Sequence, residues 1–142
     1  MHDLAHVLSN ITNPILAVIL LFAAVRQSKY PKGVFVIAST VAIAYSVCIA
    51  EVGKDVLLYP HPGGFPSGHQ TFATATLTCL VWIERRWLQF ALPVAVMMAI
   101  AIIAARFHAP IDVIGASIIS PVTTSATLAL FLRPRNLGRV SN

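Results

Sequence analysis

The sequence is short of charge. Only 11% of its 142 residues are Asp, Glu, Lys or Arg, and 57% are hydrophobic. Soluble domains carry about 25% charged residues, so a water-soluble globular protein is excluded as the expected class. Cysteine is scarce as well. Cys48 and Cys79 both lie inside apolar blocks, with no Cys-x-x-Cys and no Cys/His pairing. That excludes a disulfide framework and a thiolate metal site, and leaves two small buried hydrophobes. Acids are few: five, against ten Lys and Arg, for a net charge of +5. In a soluble chain this balance would suggest nucleic acid. In an apolar one it reports topology, and no nucleic-acid partner is expected. The opening "MHDLAHVLSN" lacks a basic start before an apolar run, so a cleaved signal peptide is not expected. Asn10-Ile11-Thr12 fits a glycosylation sequon but lies too close to the first span to carry weight. There is no internal repeat and no low-complexity linker.

What is present is a series of long apolar runs. A bilayer span needs about 20 largely apolar residues. Five candidates follow one another: 12–25, 33–58, 67–83, 87–105 and 110–132. Pro14 falls in the first turn of the first span, where proline is tolerated, and residues 2–10 add an interfacial turn or two. Pro93 and Pro121 mark expected kinks in the last two spans. The links between spans are short, which makes neighbours antiparallel. The expected fold is therefore all-α: one domain over 1–142, an integral-membrane bundle of about five transmembrane helices. The small number of spans allows a homodimer with lipid between protomers.

Five spans put the termini on opposite sides. One side carries Arg26, Lys29, Lys32, Arg85, Arg86, Arg133, Arg135 and Arg139; the other carries only Lys54 and Arg106. The basic side is expected in the cytoplasm, with the N-terminus outside, in a bacterial inner (plasma) membrane. The outer side then holds all five histidines, His2, His6, His61, His69 and His108. It also holds four of the five acids, Asp3, Glu51, Asp55 and Asp112. Ionisable residues at membrane spans are costly and often functional, although span ends must be polar in any case.

Three stretches meet on that side: "KDVLLYPHP" (54–62), "PSGH" (66–69) and "RFHAPID" (106–112). Ser67 fits an N-cap. Gly68 and His69 then fall in the first turn, where unpaired N–H groups and the helix dipole favour an anion. Gly68 lets an anion approach the backbone, and His69 can exchange a proton near neutral pH. An ordinary capped helix with a chance histidine would look the same. Pro110 fits the first position of the last span and puts Asp112 in its first turn, where the dipole favours an acid whatever its role. The spacing of four also returns Asp112 towards His108, and a carboxylate on Nδ1 would leave Nε2 as a nucleophile. Lys54 either snorkels to the surface or points inward at an anion. Taken together, these groups supply a cation, an oxyanion cradle, an acid and an oriented nucleophile. That set is what phosphoryl transfer through a covalent intermediate requires.

The same residues resemble the type 2 phosphatidic acid phosphatase family, integral-membrane relatives of the vanadium haloperoxidases. Its motifs are Lys-x6-Arg-Pro, Pro-Ser-Gly-His and Ser-Arg-x5-His-x3-Asp. The second is complete at Pro66-Ser67-Gly68-His69. The first reads Lys54-x6-His61-Pro62, with His in the Arg place. The third keeps His108-x3-Asp112 inside "HAPIDVIGA", but Ala101 and Ile102 stand in its Ser and Arg places. Arg106, two residues before His108, reaches the same phosphate from another position or is a simple interfacial cation. Arg grips phosphate bidentately, which His and Lys do not reproduce. Family members usually have six spans, and five are expected here, without the N-terminal one.

The resemblance implies a metal-independent lipid phosphatase, without cofactor, acting on a lipid phosphomonoester or pyrophosphate at the outer face of the membrane. His108 would attack phosphorus and form a phosphohistidine, Asp112 would orient it, and His69 would protonate the leaving oxygen. Lys54, Ser67 and Gly68 would hold the phosphate oxygens, with His61 and Arg106 as further clamps. A second reading is a membrane protein that binds or moves lipid phosphates on a degenerate phosphatase scaffold. A third is a purely structural helical bundle.

Overall fold

The computed structural model describes residues 2–56 and 64–133. Its order is α1 (His2–Arg26), α2 (Lys32–Val56), α3 (Gly68–Ile83), a 3₁₀ turn (Arg85–Trp87), α4 (Leu88–Ala104) and α5 (Pro110–Phe131). No strand occurs among the described residues. The protein is an all-α helical bundle. A chain this apolar satisfies its backbone N–H and C=O groups internally, and the helix does so within each segment.

Helix α3 is the centre and packs against each of the other four. Its small and hydroxylated residues make this feasible. Ala73, Ala75, Thr71, Thr74 and Thr76 are buried, and small side chains let helix backbones approach closely. The threonine hydroxyls donate to carbonyls one turn back, as in Thr74 to Gln70 (2.8 Å) and Thr76 to Phe72 (2.8 Å). Polar side chains also join helices. Ser46 on α2 pairs with Thr123 (2.8 Å) and Thr124 (2.9 Å) on α5, and the Ser120 hydroxyl donates to the Thr71 carbonyl at 2.8 Å. The Gln70 amide donates to the Ala95 carbonyl and to Ser117 Oγ, tying α3 to α4 and α5.

The outside of the bundle is apolar. Val18, Phe22, Ile37, Leu92, Ile118 and Leu130 are all exposed. An exposed apolar girdle of this extent suits lipid rather than water. Three segments are long and apolar enough to cross a membrane: Lys32–Lys54, Arg85–Ala104 and Pro110–Phe131. The apolar part of α1, Asn10–Arg26, is shorter, and α3 has only 16 residues. At 1.5 Å per residue α3 rises about 24 Å, less than the roughly 30 Å hydrocarbon core. The expected five helices are thus present, but α3 faces its neighbours instead of lipid.

One expectation about a helix start changes. Helix α1 begins at His2, so Pro14 lies in its interior and not in a first turn. Helices α4 and α5 continue through Pro93 and Pro121. Packed neighbours and hydroxyl side chains tolerate interior proline in such bundles.

The bundle sorts its links as expected from antiparallel neighbours. Lys29 Nζ donates to the Trp82 carbonyl at 2.9 Å, which brings the α1–α2 link to the end of α3. Tyr30 and Lys29 share a cavity wall with Leu132 and Arg133, at the end of α5. The opposite end gathers Asn13, Glu51, Lys54, Gly68, His69 and His108.

Candidate active site

The site begins with two helix starts. Ser67 is the N-cap of α3, fully buried, with its Oγ accepting from the Gln70 N–H at 3.4 Å. Ala109 caps α5, Pro110 takes its first position, and the Asp112 carboxylate reaches back to accept from the Ala109 N–H at 3.0 Å. The backbone links the two caps: the Ser67 N–H donates to the Asp112 carbonyl at 3.1 Å. Next to them the Phe65 ring packs against Gly115. A Cβ added at Gly115 would sit 2.2 Å from Phe65 Cε2, so only glycine leaves room for the ring.

A cavity of about 580 Å³ opens at this end of the bundle, lined by Asn13, Pro14, Val47, Glu51, Lys54, Gly68, His69, Phe72 and His108. Cavity size does not select it, since a cleft of about 640 Å³ lies among Arg26, Lys29 and Arg86 at the other end. Chemistry does. Two imidazoles, an ammonium and the start of α3 share one wall. The N–H groups of the first helical turn have no intrahelical acceptor and point out from the end of α3, beside Gly68.

His69 is held from both sides. Its ring stacks on Phe107, with centroids 5.9 Å apart and planes within 4°, and its carbonyl accepts from Asn13 Nδ2 at 3.3 Å. His108 belongs to the link before α5. Its Nδ1 is 3.5 Å from Asp112 Oδ2, with the carboxylate fully buried. This is ion-pair range without hydrogen-bond alignment: His108 Nδ1 and Asp112 Oδ1 have no hydrogen-bond partner among the described residues. Catalytic hydrogen bonds often stand long in the unloaded state and tighten with substrate. Burial holds the His108 imidazole below its ordinary value of 6.5. Asp112 pulls upward against burial, while Lys54 and His69 push further down. The ring is therefore neutral at neutral pH, with a lone pair available.

Lys54 points inward, onto the cavity wall. Its Nζ lies 2.6 Å from Glu51 Oε1, one helical turn away. Both groups sit above Gly68: a Cβ there would be 3.1 Å from Glu51 Oε1 and 3.5 Å from Lys54 Nζ.

A family model described as the PAP2 superfamily matches residues 45–135. The chain belongs to the PAP2 superfamily. No curated protein and no solved structure matches it significantly. Membership supports a phosphatase-type function and, together with the long apolar helices, a membrane protein.

Within this PAP2 protein, Lys54, Gly68, His69 and His108 come together at one cavity, and Asp112 stands behind His108. Ser67 and Arg106 are not on its wall. The Ser67 hydroxyl caps α3 instead. Arg106 is exposed and closes α4 in the left-handed region, with φ 56°. The Arg106 and Phe107 N–H groups bond the Ile103 and Ile102 carbonyls, at 3.0 and 3.2 Å, a helix-ending pattern that usually takes glycine. Ala101 and Ile102, at the family's Ser and Arg places, are buried in the core. His61 lies outside the described residues. Two contributors escaped the reading of motifs. Glu51 could have been found from its spacing of three to Lys54 on a helix. Asn13, 56 residues from His69 in the chain, carries no local signal.

Proposed function

We propose that the protein is a lipid phosphatase of the extracytoplasmic leaflet that works through a phosphohistidine. The observation that carries this reading is the join between two unlike spaces. Val47 and Phe72 line the polar cavity, and they also line an apolar groove of about 610 Å³ between α1 and α2. A ligand with a phosphate at one end and hydrocarbon at the other suits both at once. The excess of Arg and Lys at the opposite end favours placing that end in the cytoplasm.

The chemistry follows from the positions. His108 Nε2 attacks phosphorus in line and forms an N–P bond, and the P–O bond to the lipid breaks. His69 gives its proton to the leaving oxygen. Asp112 closes on Nδ1–H and stabilises the charge that develops on the ring. Water, deprotonated by His69, then cleaves the N–P bond and releases inorganic phosphate. Lys54 and the N–H groups at the start of α3 hold the equatorial oxygens throughout. Ser67 contributes by fixing the direction of that helix start. No metal is called for in this scheme, because the ammonium and the helix start supply the positive field.

The alternative, a lipid-phosphate binder without turnover, draws on Ala101 and Ile102 in the core where the family has Ser and Arg. One experiment separates the two. Phosphate release is measured from a panel of lipid monophosphates and pyrophosphates, with His108→Ala as control. Release by the wild type and not by the variant supports the phosphatase. Binding of a lipid phosphate with no release from any of the panel supports the binder. Full release by His108→Ala removes the nucleophile assignment.

A further inference from the structure

We infer that Glu51 sets the affinity of this site for phosphate, because its carboxylate stands where the substrate's phosphate must go. The inference rests on the reading of the cavity as a phosphate site.

The geometry is local and specific. Glu51 and Lys54 lie on the same face of α2, and their ion pair spans 2.6 Å. The pair lies over Gly68, with Glu51 Oε1 closer to the position of an added Cβ than Lys54 Nζ is. The first turn of α3 is the anion-favouring end of the buried central helix. A carboxylate there holds the cavity's lysine and stands close over the start of α3, the two places that the proposed mechanism assigns to phosphate oxygens.

Folding does not demand this arrangement. Glu51 is 58% exposed, and exposed ion pairs contribute little to stability. Nor does an acid serve the expected chemistry. A phosphate dianion and a carboxylate that share one ammonium repel each other. Lys54 is the one cationic Lys or Arg side chain among the residues lining the cavity, so the two anions compete for the same partner. Each incoming phosphate must displace Glu51, and each departing product lets it return. The residue thus acts on binding before the bond-making step.

The test uses the full-length protein in lipid nanodiscs. Glu51→Gln keeps the shape of the side chain and removes its charge. KM for a hydrolysed lipid phosphate and the inhibition constant of inorganic phosphate should both fall, by about twofold to fivefold, the upper part of the range for an exposed ion pair. Glu51→Ala, at an exposed position, should shift both constants in the same direction. Constants that stay put or rise in both variants overturn the inference, and a rise would mean that Glu51 positions Lys54 for the substrate. A wild type that neither hydrolyses lipid phosphates nor binds inorganic phosphate overturns the reading of the cavity, and this inference with it. A wild type that does both, beside variants with unchanged constants, overturns this inference alone.

Discussion

The Ser67 N–H donates to the Asp112 carbonyl at 3.1 Å. Forty-five positions apart in the chain, these residues cap one helix and begin another. Their bond fixes the start of α3, which carries Gly68 and His69, against the start of α5, which carries the carboxylate behind His108. The acid and the nucleophile of the proposed reaction are set against each other by backbone, not by flexible side chains.

Asp112→Asn tests the brace. The same carboxylate oxygen, Oδ2, accepts from the Ala109 N–H and faces His108 Nδ1, so an amide oxygen there keeps the shape of the brace but loses the negative charge that stabilises the developing imidazolium. Turnover should fall by about two to four orders of magnitude, the range for disabling a catalytic histidine's orienting partner. Helix content by circular dichroism should stay at the wild-type level. Near-normal turnover would detach Asp112 from the chemistry.

His69→Ala should lower turnover by about a hundredfold to ten-thousandfold, the usual contribution of a general acid. Substrates with a better leaving group need less protonation. An aryl phosphate should therefore lose much less rate than an alkyl phosphate. Equal losses on both would mean that His69 does not protonate the leaving oxygen.

The pH dependence follows from His108. Its folded-state value lies below the ordinary 6.5, with burial the leading cause and Lys54 a contributor. The nucleophile is active when neutral, so the acid limb of kcat/KM should lie below pH 6.5. The same shift makes a stability term that is complete above pH 6.5 and is lost as pH falls towards the folded value, because the unfolded chain takes the proton first. Lys54→Met removes one of the downward influences, so the acid limb should move up in that variant. A limb that moves down would contradict the proximity of the two groups.

Gly115→Ala should destabilise the protein by about 1–3 kcal/mol, as overpacking does, because the new Cβ would fall 2.2 Å from the Phe65 ring. Phe65→Leu in the same chain should restore part of the loss, and a double-mutant cycle from thermal unfolding reads the coupling. Additive effects would mean that the ring moves aside freely.

Arg106→Gly should stabilise by about 1 kcal/mol, since a non-glycine residue in the left-handed region costs roughly 1–2 kcal/mol. The thermal midpoint should rise. A fall would show that the guanidinium makes compensating contacts.

Much of this was legible in the residues. Apolar runs bounded by Gly33, Ser67 and Pro110 located the helices because caps and prolines act within one turn. His108 and Asp112 were readable as a pair because a spacing of four is short. Other features were not. Pro14 reads as a helix start because the polar residues before it look interfacial, yet α1 runs through it. Lys54 reads equally well as snorkelling or inward. Ser67 and Arg106 read as phosphate contacts, and neither lines the cavity.

By itself the sequence determined the class, the number of helices, where most of them begin and end, and which end of the bundle carries the imidazoles. Those properties follow from hydropathy and from forces that act within a turn of the chain. The tertiary structure alone decided which side chains face one another across helices. The rotation of each helix about its axis is set by packing against α3, and that rotation turned Lys54 and Glu51 over Gly68 and left Arg106 outside.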